Sequence, residues 1–419
     1  MEIIKAYKFR LYPTVWQAAL ARKTAGCCRL VKNLHLEQRS SFSRNGRFVG
    51  YVEGASDLPA LKAAFPFFKD APAQCLQQAL LDLDTAFRNF FSGRAGYPRP
   101  ARKYGNESFR FPQPSQFRIG QEFIELPKFG RVAMKKHRAV EGRVLTATVS
   151  IEGDRFYVSI VTTIDIEAPL RAVRDVGIDL NVATGAVTSD GLMLVMPKTS
   201  SEEMRKLARL QKDHSRRKKG SRNREKARRA LIAFHAKVRR RRMDAAHKAS
   251  RRLADGYSHI AFEALKLRNM TASARGTVAM PGRKVRAKAA LNRVVLDSAL
   301  GAVRRFSKYK ATWVGGVTVE VDAAYTSQNC SRCGQHPKSD PATAHMAHGR
   351  ISRDEFECPL CGFVEHADVN AARNILALGR LQWAAFLTAG GAPAAACGGL
   401  RGKTRLRNRK RESKAASAC

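Results

Sequence analysis

Two short cysteine motifs constrain the fold of this chain more than any other feature of its sequence. Cys330-Ser-Arg-Cys333 and Cys358-Pro-Leu-Cys361 are each followed by glycine. Two residues between thiolates let one tight turn present both sulfurs to a single ion, and glycine readily takes the backbone conformation that such a turn needs. The sequence therefore predicts a structural zinc site, and the alternative is a pair of thiol turns without metal. The expected ligands are Cys330, Cys333, Cys358 and Cys361.

The histidines and the remaining cysteines are not expected to bind this metal. The loop between the motifs, residues 334–357, is longer than a usual ribbon loop and contains His336, His345 and His348. Four sulfurs already complete the zinc shell. The chain has nine cysteines, and an odd count without a secretory signal argues against a disulfide framework.

A large excess of positive charge indicates the kind of partner that this chain binds. It has 76 lysines and arginines against 35 aspartates and glutamates, a net charge of +41. A surface so positive repels itself unless a polyanion neutralises it, so nucleic acid is the expected partner. Residues 205–252 carry +18 and residues 401–419 carry +7, which leaves +16 on the rest. Charge spread in this way is typical of a long nucleic-acid channel.

An anionic membrane surface is the other polyanion that such a charge could meet. No apolar run approaches the roughly 18 residues that a membrane-spanning helix needs. The first residues, Met1–Tyr7, lack the apolar segment of a signal peptide. We therefore expect a cytoplasmic protein with no membrane insertion.

The N-terminal part is predicted to contain a β unit that is interrupted by helices. Apolar and basic residues alternate over residues 3–12, which is typical of a half-buried strand. Residues 108–165 also have β character, with a hairpin turn at Glu152-Gly153-Asp154. Helical periodicity covers residues 14–40 and 72–92. Phe87, Phe90 and Phe91 lie at helical spacing, which favours core residues over a surface that stacks on bases.

The rest of the chain is predicted to alternate between strands and helices. In chain order we expect a strand from Val176, a hairpin turn at Asp190-Gly191, a strand to Met196, basic helices over 201–252 interrupted at Gly220, a strand over 259–262, a helix over 285–309, a strand over Val317–Val321 and a helix over Asp368–Leu381. Residues 388–400 are low in complexity, so we expect them and the basic tail to be disordered.

Three carboxylates are the candidate catalytic residues. Asp179 lies inside an apolar strand, Glu263 ends another, and Asp368 begins the last helix. A buried carboxylate usually pairs with a cation, so each could bond an arginine, and Asp368 could cap its helix. Taken together they favour a phosphodiesterase site in which hard oxygen ligands hold two Mg²⁺ ions. Glu320 and Asp322 are possible additional carboxylates but are expected to face solvent.

Four motifs together resemble the TnpB family, insertion-sequence-encoded relatives of the type V CRISPR effectors. They are Lys5-Ala-Tyr-Lys-Phe-Arg-Leu-Tyr-Pro13, Gly177-Ile-Asp-Leu180, Thr326-Ser-Gln-Asn-Cys-Ser-Arg-Cys-Gly334 and His366-Ala-Asp-Val-Asn-Ala-Ala-Arg-Asn-Ile375. The resemblance runs in this order over roughly residues 3–380. Ala264 departs from it, because many relatives have a second acidic residue there, and the ribbon loop is long.

The resemblance implies an α/β and α+β multidomain fold. It has an RNase H/RuvC-like nuclease core with an inserted zinc ribbon, and an N-terminal β-barrel, or wedge, with an inserted helical recognition lobe. The implied boundaries are 1–13 and 106–170 for the wedge, 14–105 for the recognition lobe, 171–322 and 364–385 for the RuvC-like domain, 323–363 for the zinc ribbon and 386–419 for a disordered basic tail.

The resemblance also implies an RNA-guided DNA endonuclease encoded by a transposable element, acting on the nucleoid in a prokaryotic cytoplasm. Asp179, Glu263 and Asp368 would be its RuvC carboxylates. A guide RNA derived from the transposon end would pair with one strand of a double-stranded DNA target, and protein side chains would read a short motif beside it.

Basic residues near the motifs are candidates for phosphate contacts, although a solvated loop is the alternative for the second group. They are Lys5, Lys8 and Arg10, and then Arg216, Arg217, Lys218 and Lys219. Three other functions share the expected fold: a nuclease-silent regulator guided by RNA, a DNA transposase, and a miniature CRISPR effector. Intact carboxylates favour a nuclease over the regulator, whereas a transposase could use the same three residues.

Overall fold

The computed structural model describes residues 2–44, 46–47, 49–103, 107–167, 173–336 and 349–388. The expectations for His345, for His348 and for a disordered tail after residue 388 lie outside these ranges. Within the described residues, none of the helices is long and apolar enough to cross a membrane.

An antiparallel sheet of seven strands forms the N-terminal unit. Its strands are β1 (Glu2–Tyr12), β2 (Glu107–Phe111), β3 (Arg118–Ile119), β4 (Phe123–Leu126), β5 (Gly130–Lys135), β6 (Arg143–Glu152) and β7 (Arg155–Asp165), in the order β2-β6-β7-β1-β5-β4-β3. The predicted first strand is confirmed, and so is the hairpin turn, where Gly153 has a φ of 65°. The row of strands has β2 and β3 at its edges, and closure into a barrel stays a prediction.

Helices inserted between β1 and β2 cover one face of this sheet. They are α1 (Val15–Arg44), α2 (Tyr51–Ser56), α3 (Leu58–Ala64) and α4 (Ala73–Phe91). Alternation in β1 buries Tyr7 and Phe9, which share a core with Leu76 and Leu80 of α4. Helices α2 and α3 are too short to leave a clear periodic signal, and the sequence did not predict them.

A second sheet of five strands forms the centre of the rest of the chain. Its strands are β8 (Asp175–Leu180), β9 (Gly185–Thr188), β10 (Met193–Val195), β11 (His259–Glu263) and β12 (Val317–Val321), in the order β10-β9-β8-β11-β12. The first three are joined by antiparallel hairpins, whereas β11 lies parallel to both β8 and β12. Parallel neighbours bring the carboxyl ends of β8 and β11 to one edge of the sheet.

Six helices within the described part of the chain accompany this sheet. They are α5 (Ser201–Arg216), α6 (Arg222–Gly256), α7 (Leu267–Met270), α8 (Val285–Asp297), α9 (Leu300–Trp313) and α10 (Ala367–Thr388). The single helix predicted over 285–309 is wrong, because Ala299 takes a left-handed φ of 54° and separates α8 from α9. The carboxylate of Asp297 stabilises this break by accepting bonds of 2.8 Å from both the backbone N and the hydroxyl of Thr199.

Close packing of α10 on β8 depends on one glycine. A methyl group at Gly177 would lie 2.0 Å from the carbonyl oxygen of Ala372 and 2.5 Å from the backbone N of Leu376. Only hydrogen fits there, so α10 can approach the sheet closely. The first turn of α10 therefore lies against the carboxyl end of β8.

A small cysteine-rich unit precedes α10. It contains the hairpin of β13 (Glu355–Glu357) and β14 (Val364–His366), which leads directly into the helix. Cys330, Phe356, Cys358 and Ala367 form its buried core. Because Ala367 begins α10, this unit and the helix share one core.

Candidate active site and metal centre

The fold brings together the three carboxylates that the sequence singled out. Ile178 of β8 pairs with Phe262 of β11, so the next residue of each strand, Asp179 and Glu263, lies at the same sheet edge. Asp368, in the first turn of α10, is 3% exposed and faces this edge. Three separate elements thus supply one acidic cluster.

Asn181 joins two of these carboxylates. Its Nδ2 donates to Oδ2 of Asp368 at 2.9 Å and to Oδ2 of Asp179 at 3.3 Å. Its Oδ1 accepts from the backbone N of Ala183 and of Thr184, which fixes the orientation of the amide. This residue was not predicted from the sequence. The signal was its position two residues after Asp179, because alternate residues along an extended chain point to the same side.

Burial and mutual repulsion perturb the protonation of the cluster. Burial raises the pKa of Asp179 to about 6, and the neighbouring Asp368 contributes to the shift. Burial also raises the pKa of Glu263 to about 7, with a further contribution from Asp179. Carboxylates forced together in this way bind cations strongly, because a cation removes the repulsion.

Arg350 is a second site residue that was not predicted from the sequence. It comes from the cysteine-rich unit and donates from Nη2 to Oδ1 of Asp368 at 3.1 Å and to the carbonyl oxygen of Arg353 at 2.9 Å. Its positive charge partly offsets the rise that burial causes in the pKa of Asp179. A guanidinium is thus held at the edge of the acidic cluster.

The additional carboxylates lie outside the cluster. Glu320 pairs with Arg304 at 3.4 Å and remains 44% exposed. Asp322 is exposed, and its Oδ1 accepts from the backbone N of Ala324. Arg304 also donates to the backbone carbonyl of Glu263 at 3.3 Å, so it supports the strand end that carries this carboxylate.

The four predicted cysteines converge on one point. Their sulfurs all lie within 4.8 Å of one another, with 3.7 Å between Cys330 and Cys361 and 3.8 Å between Cys333 and Cys358. Zinc–thiolate bonds of about 2.3 Å at tetrahedral angles require sulfurs about 3.8 Å apart. The four cysteines therefore fit a zinc ion.

The glycines that follow the cysteine pairs behave as the sequence predicts. Gly334 and Gly362 have φ values of 73° and 67°. Their backbone N atoms each donate at 2.9 Å to the carbonyl oxygen of the first cysteine in the pair. His336 is buried and pairs instead with Oε1 of Gln328 at 3.0 Å.

The carboxylate cluster differs from the cysteine site as a potential metal site. Among the described residues, the four cysteines are the group of three or more potential ligands that could hold a metal ion. Two cations about 3.5–4 Å apart need carboxylates on both sides and between them. Asp179, Glu263 and Asp368 come from three elements at one sheet edge, and binding of such a pair by them stays a prediction.

The residues predicted to contact phosphates have mixed surroundings. Lys5 pairs with Glu141 at 3.1 Å, and Lys8 pairs with Glu152 at 2.5 Å. Arg10 lies over the ring of Tyr12, 4.7 Å from its centroid. At the turn between α5 and α6, Arg217 pairs with Asp213, while Arg216, Lys218 and Lys219 are exposed. Contact of these residues with nucleic acid stays a prediction.

Three family models match parts of the chain. A Cas12f1-like TNB domain matches residues 301–375, a probable transposase matches residues 158–274, and a helix-turn-helix domain matches residues 1–46. In the last of these spans the structure has strand β1 followed by helix α1.

Two full-length relatives and one solved structure are similar to the chain. InsQ of Escherichia coli strain K12, named as a candidate RNA-guided DNA endonuclease, is 38% identical over 90% of this chain and 93% of InsQ. A similarly named protein of Streptomyces pristinaespiralis is 33% identical over 90% of both chains. Cas12f1 in complex with single guide RNA and target DNA has the same fold, with a TM-score of 0.50 and 13% identity over 89% of this chain and 98% of that chain.

Proposed function

The chain belongs to the TnpB family, and from this membership we propose that it is an RNA-guided DNA endonuclease encoded by a transposable element. The observation that carries the proposal is the meeting of Asp179, Glu263 and Asp368 at one sheet edge. A repelling acidic cluster beside a guanidinium suits the hydrolysis of a phosphodiester, whose charge both cations and arginine can stabilise.

The roles of the residues follow from their surroundings. Asp179, Glu263 and Asp368 would hold two Mg²⁺ ions, which activate water and stabilise the leaving oxygen when they are bound. Asn181 keeps the carboxylates of Asp179 and Asp368 in a fixed relative orientation. Arg350 would turn from Asp368 to the phosphate of the DNA strand once a cation takes its place. Such a site needs no protein nucleophile.

The domain arrangement is part of the same proposal. The five-stranded sheet, with hairpins on one side of β8 and parallel strands on the other, supports an RNase H/RuvC-like core over 171–322 and 364–385. The cysteine-rich unit would be a zinc ribbon over 323–363. Residues 1–13 and 106–170 would form the wedge and residues 14–105 the recognition lobe.

The partners would be a guide RNA from the transposon end and double-stranded target DNA. A net charge of +41 supports the binding of two polyanions at once. Action on DNA would associate the protein with the nucleoid of a prokaryotic cytoplasm. The presence of all three carboxylates favours cutting over silent occupation of DNA.

The test is to co-express the chain with its native flanking DNA and to sequence the RNA that co-purifies. The complex is then mixed with plasmids that carry the matched target beside randomised flanks, with Mg²⁺ or with EDTA. We expect one discrete RNA and Mg²⁺-dependent cutting beside one short motif. Asp179→Ala is the matched control, and cutting by this variant would contradict the proposed active site. Strand-transfer products without cutting would favour a transposase.

A further inference from the structure

An exposed aromatic cluster lies far from the carboxylates along the chain, at the end of α4. We call Phe87, Phe90, Phe91 and Tyr97 the aromatic platform. Helical spacing favoured core positions for its phenylalanines, and Phe87 is indeed buried at 5% exposure. The same expectation is wrong for Phe91, whose side chain is 68% exposed, and Tyr97 beside it is 48% exposed.

The rings of the platform support one another. Phe87 and Phe91 stack with centroids 6.2 Å apart, while Tyr97 meets Phe90 edge to face at 5.3 Å. Arg39 lies under Phe87, 4.4 Å from its ring, and is itself buried in an ion pair with Asp84. The exposed rings therefore pack against buried side chains.

The segment after α4 is held in place although it has no regular secondary structure. Gly93, with a φ of 69°, ends the helix and turns the chain back. The hydroxyl of Tyr97 bonds Oγ of Ser40 at 2.8 Å. Asn33 of α1 exchanges two hydrogen bonds with the backbone of Ala101, at 3.0 and 2.8 Å. The exposed rings of Phe91 and Tyr97 are thus held in position before any partner binds.

The surroundings of the platform are positively charged. Residues 85–103 contain five basic residues and no acidic residue. Arg88 is 69% exposed and pairs with Asp84, while Arg94, Arg99 and Arg102 are exposed. Large exposed apolar groups usually mark a binding surface, and the charge indicates a polyanionic partner.

We propose that Phe91 and Tyr97 stack on unpaired bases of the guide RNA while the nearby arginines contact its phosphates. Aromatic rings and arginine side chains are the groups that bind splayed RNA bases, whereas the bases of a DNA duplex are already stacked on one another. A protein partner would have to bring acidic side chains to satisfy the same surface. The inference rests on the proposed function, because that function supplies the RNA.

The test uses the full chain with the RNA that co-purifies with it, made by transcription and refolded. We expect ultraviolet cross-links from Phe91 or Tyr97 to nucleotides that chemical probing finds unpaired. Phe91→Leu and Tyr97→Leu should each weaken RNA binding between about fivefold and about a hundredfold. The slope of affinity against salt should stay unchanged, because the phosphate contacts remain.

Matched variants separate stacking from stability. Tyr97→Phe keeps the ring but loses the hydroxyl bond to Ser40, so it should bind RNA more tightly than Tyr97→Leu does. Phe65→Leu removes another exposed ring, 49% exposed, that lies outside the platform, and it should change nothing. Arg99→Gln should reduce the salt slope, unlike the leucine variants. Equal melting temperatures would show that the leucine variants are folded.

Other outcomes overturn the inference. Wild-type RNA affinity in both leucine variants, with no cross-link in residues 85–103, would remove the platform from the RNA-binding surface while the proposed function stands. Weaker binding of target DNA alone would assign the platform to DNA instead. A wild-type protein that carries no discrete RNA would overturn both the inference and the proposed function.

Discussion

The guanidinium of Arg350 donates a 3.1 Å hydrogen bond to the carboxylate of Asp368, although the two residues belong to different units of the fold. Arg350 comes from the cysteine-rich unit, where its backbone forms an isolated antiparallel β-bridge with Phe356. Asp368 lies in the first turn of α10. The cysteine-rich unit thereby contributes a positively charged side chain to the edge of the carboxylate cluster. Any change that displaces the cysteine-rich unit should therefore also disturb this cluster.

Arg350→Ala should slow DNA cleavage by about a hundredfold to a thousandfold, because an electrostatic contact to the reacting phosphate is worth about 3–4 kcal/mol. Binding of RNA and target DNA should remain. Single-turnover cleavage rates, measured beside equilibrium binding, test this. Arg353→Ala is the control, since the backbone carbonyl of Arg353, and not its side chain, meets Arg350. Equal rates for Arg350→Ala and the wild type would contradict the role.

The raised pKa values of Asp179, about 6, and Glu263, about 7, predict how stability depends on pH in EDTA. The charged forms are disfavoured in the folded state, so the free energy of unfolding should fall as the pH rises from about 4 to about 7. At pH 8, Asp179→Asn should have a free energy of unfolding about 2–3 kcal/mol higher than that of the wild type. The free energy of unfolding of this variant should also depend less on pH.

Chemical denaturation at several pH values measures this effect. Asp213→Asn is the control, because Asp213 is 43% exposed and pairs with Arg217 far along the chain from the cluster. It should keep the pH dependence of the wild type. An Asp179→Asn protein that loses stability between pH 4 and 7 as steeply as the wild type would show that folding does not raise the pKa of Asp179.

One zinc ion per chain is expected, and Cys361→Ser should lose it, because three thiolates leave the tetrahedral shell incomplete. Elemental analysis of the purified protein measures this. The rate of DNA cleavage should fall as well, since the cysteine-rich unit positions Arg350. Cys27→Ala, at a buried cysteine in the core of the N-terminal unit, should retain the zinc. Zinc content that is equal in both variants would argue against the predicted ligands.

Local patterns predicted much of the fold and of the candidate site. Alternation marked β1 because one of its faces is buried, and the two cysteine pairs marked the candidate metal site because a single turn sets their spacing. Asp179 stood out as a charge in an apolar strand. In each case the physical cause lies within a few residues of the signal.

Features that depend on distant partners escaped prediction. Arg350 contacts Asp368 only because the cysteine-rich unit packs against the start of α10. The break between α8 and α9 is stabilised by Thr199, which is far along the chain from Asp297. Exposure of Phe91 depends on which side of α4 the neighbouring elements cover. No periodicity in a single segment encodes such contacts.

Gly177→Ala should displace the helix that carries a candidate catalytic residue. The added methyl group would lie 2.0 Å from the carbonyl oxygen of Ala372 in α10. Backbone atoms cannot move aside as a flexible side chain can, so we expect a loss of about 3 kcal/mol in the free energy of unfolding, at the upper end for overpacking. Asp368 would move with α10, and cleavage should fall further than stability alone explains.

Thermal and chemical unfolding beside cleavage rates test the role of Gly177, with Gly256→Ala as the matched control. Gly256 ends α6 and has open space where a methyl group would lie, so its substitution should be neutral or slightly stabilising. If the Gly177→Ala protein is folded at the assay temperature and yet cuts slowly, the close approach of α10 to β8 is what aligns Asp368 with Asp179. A folded variant that cuts at the wild-type rate would instead mean that the cluster tolerates movement of α10.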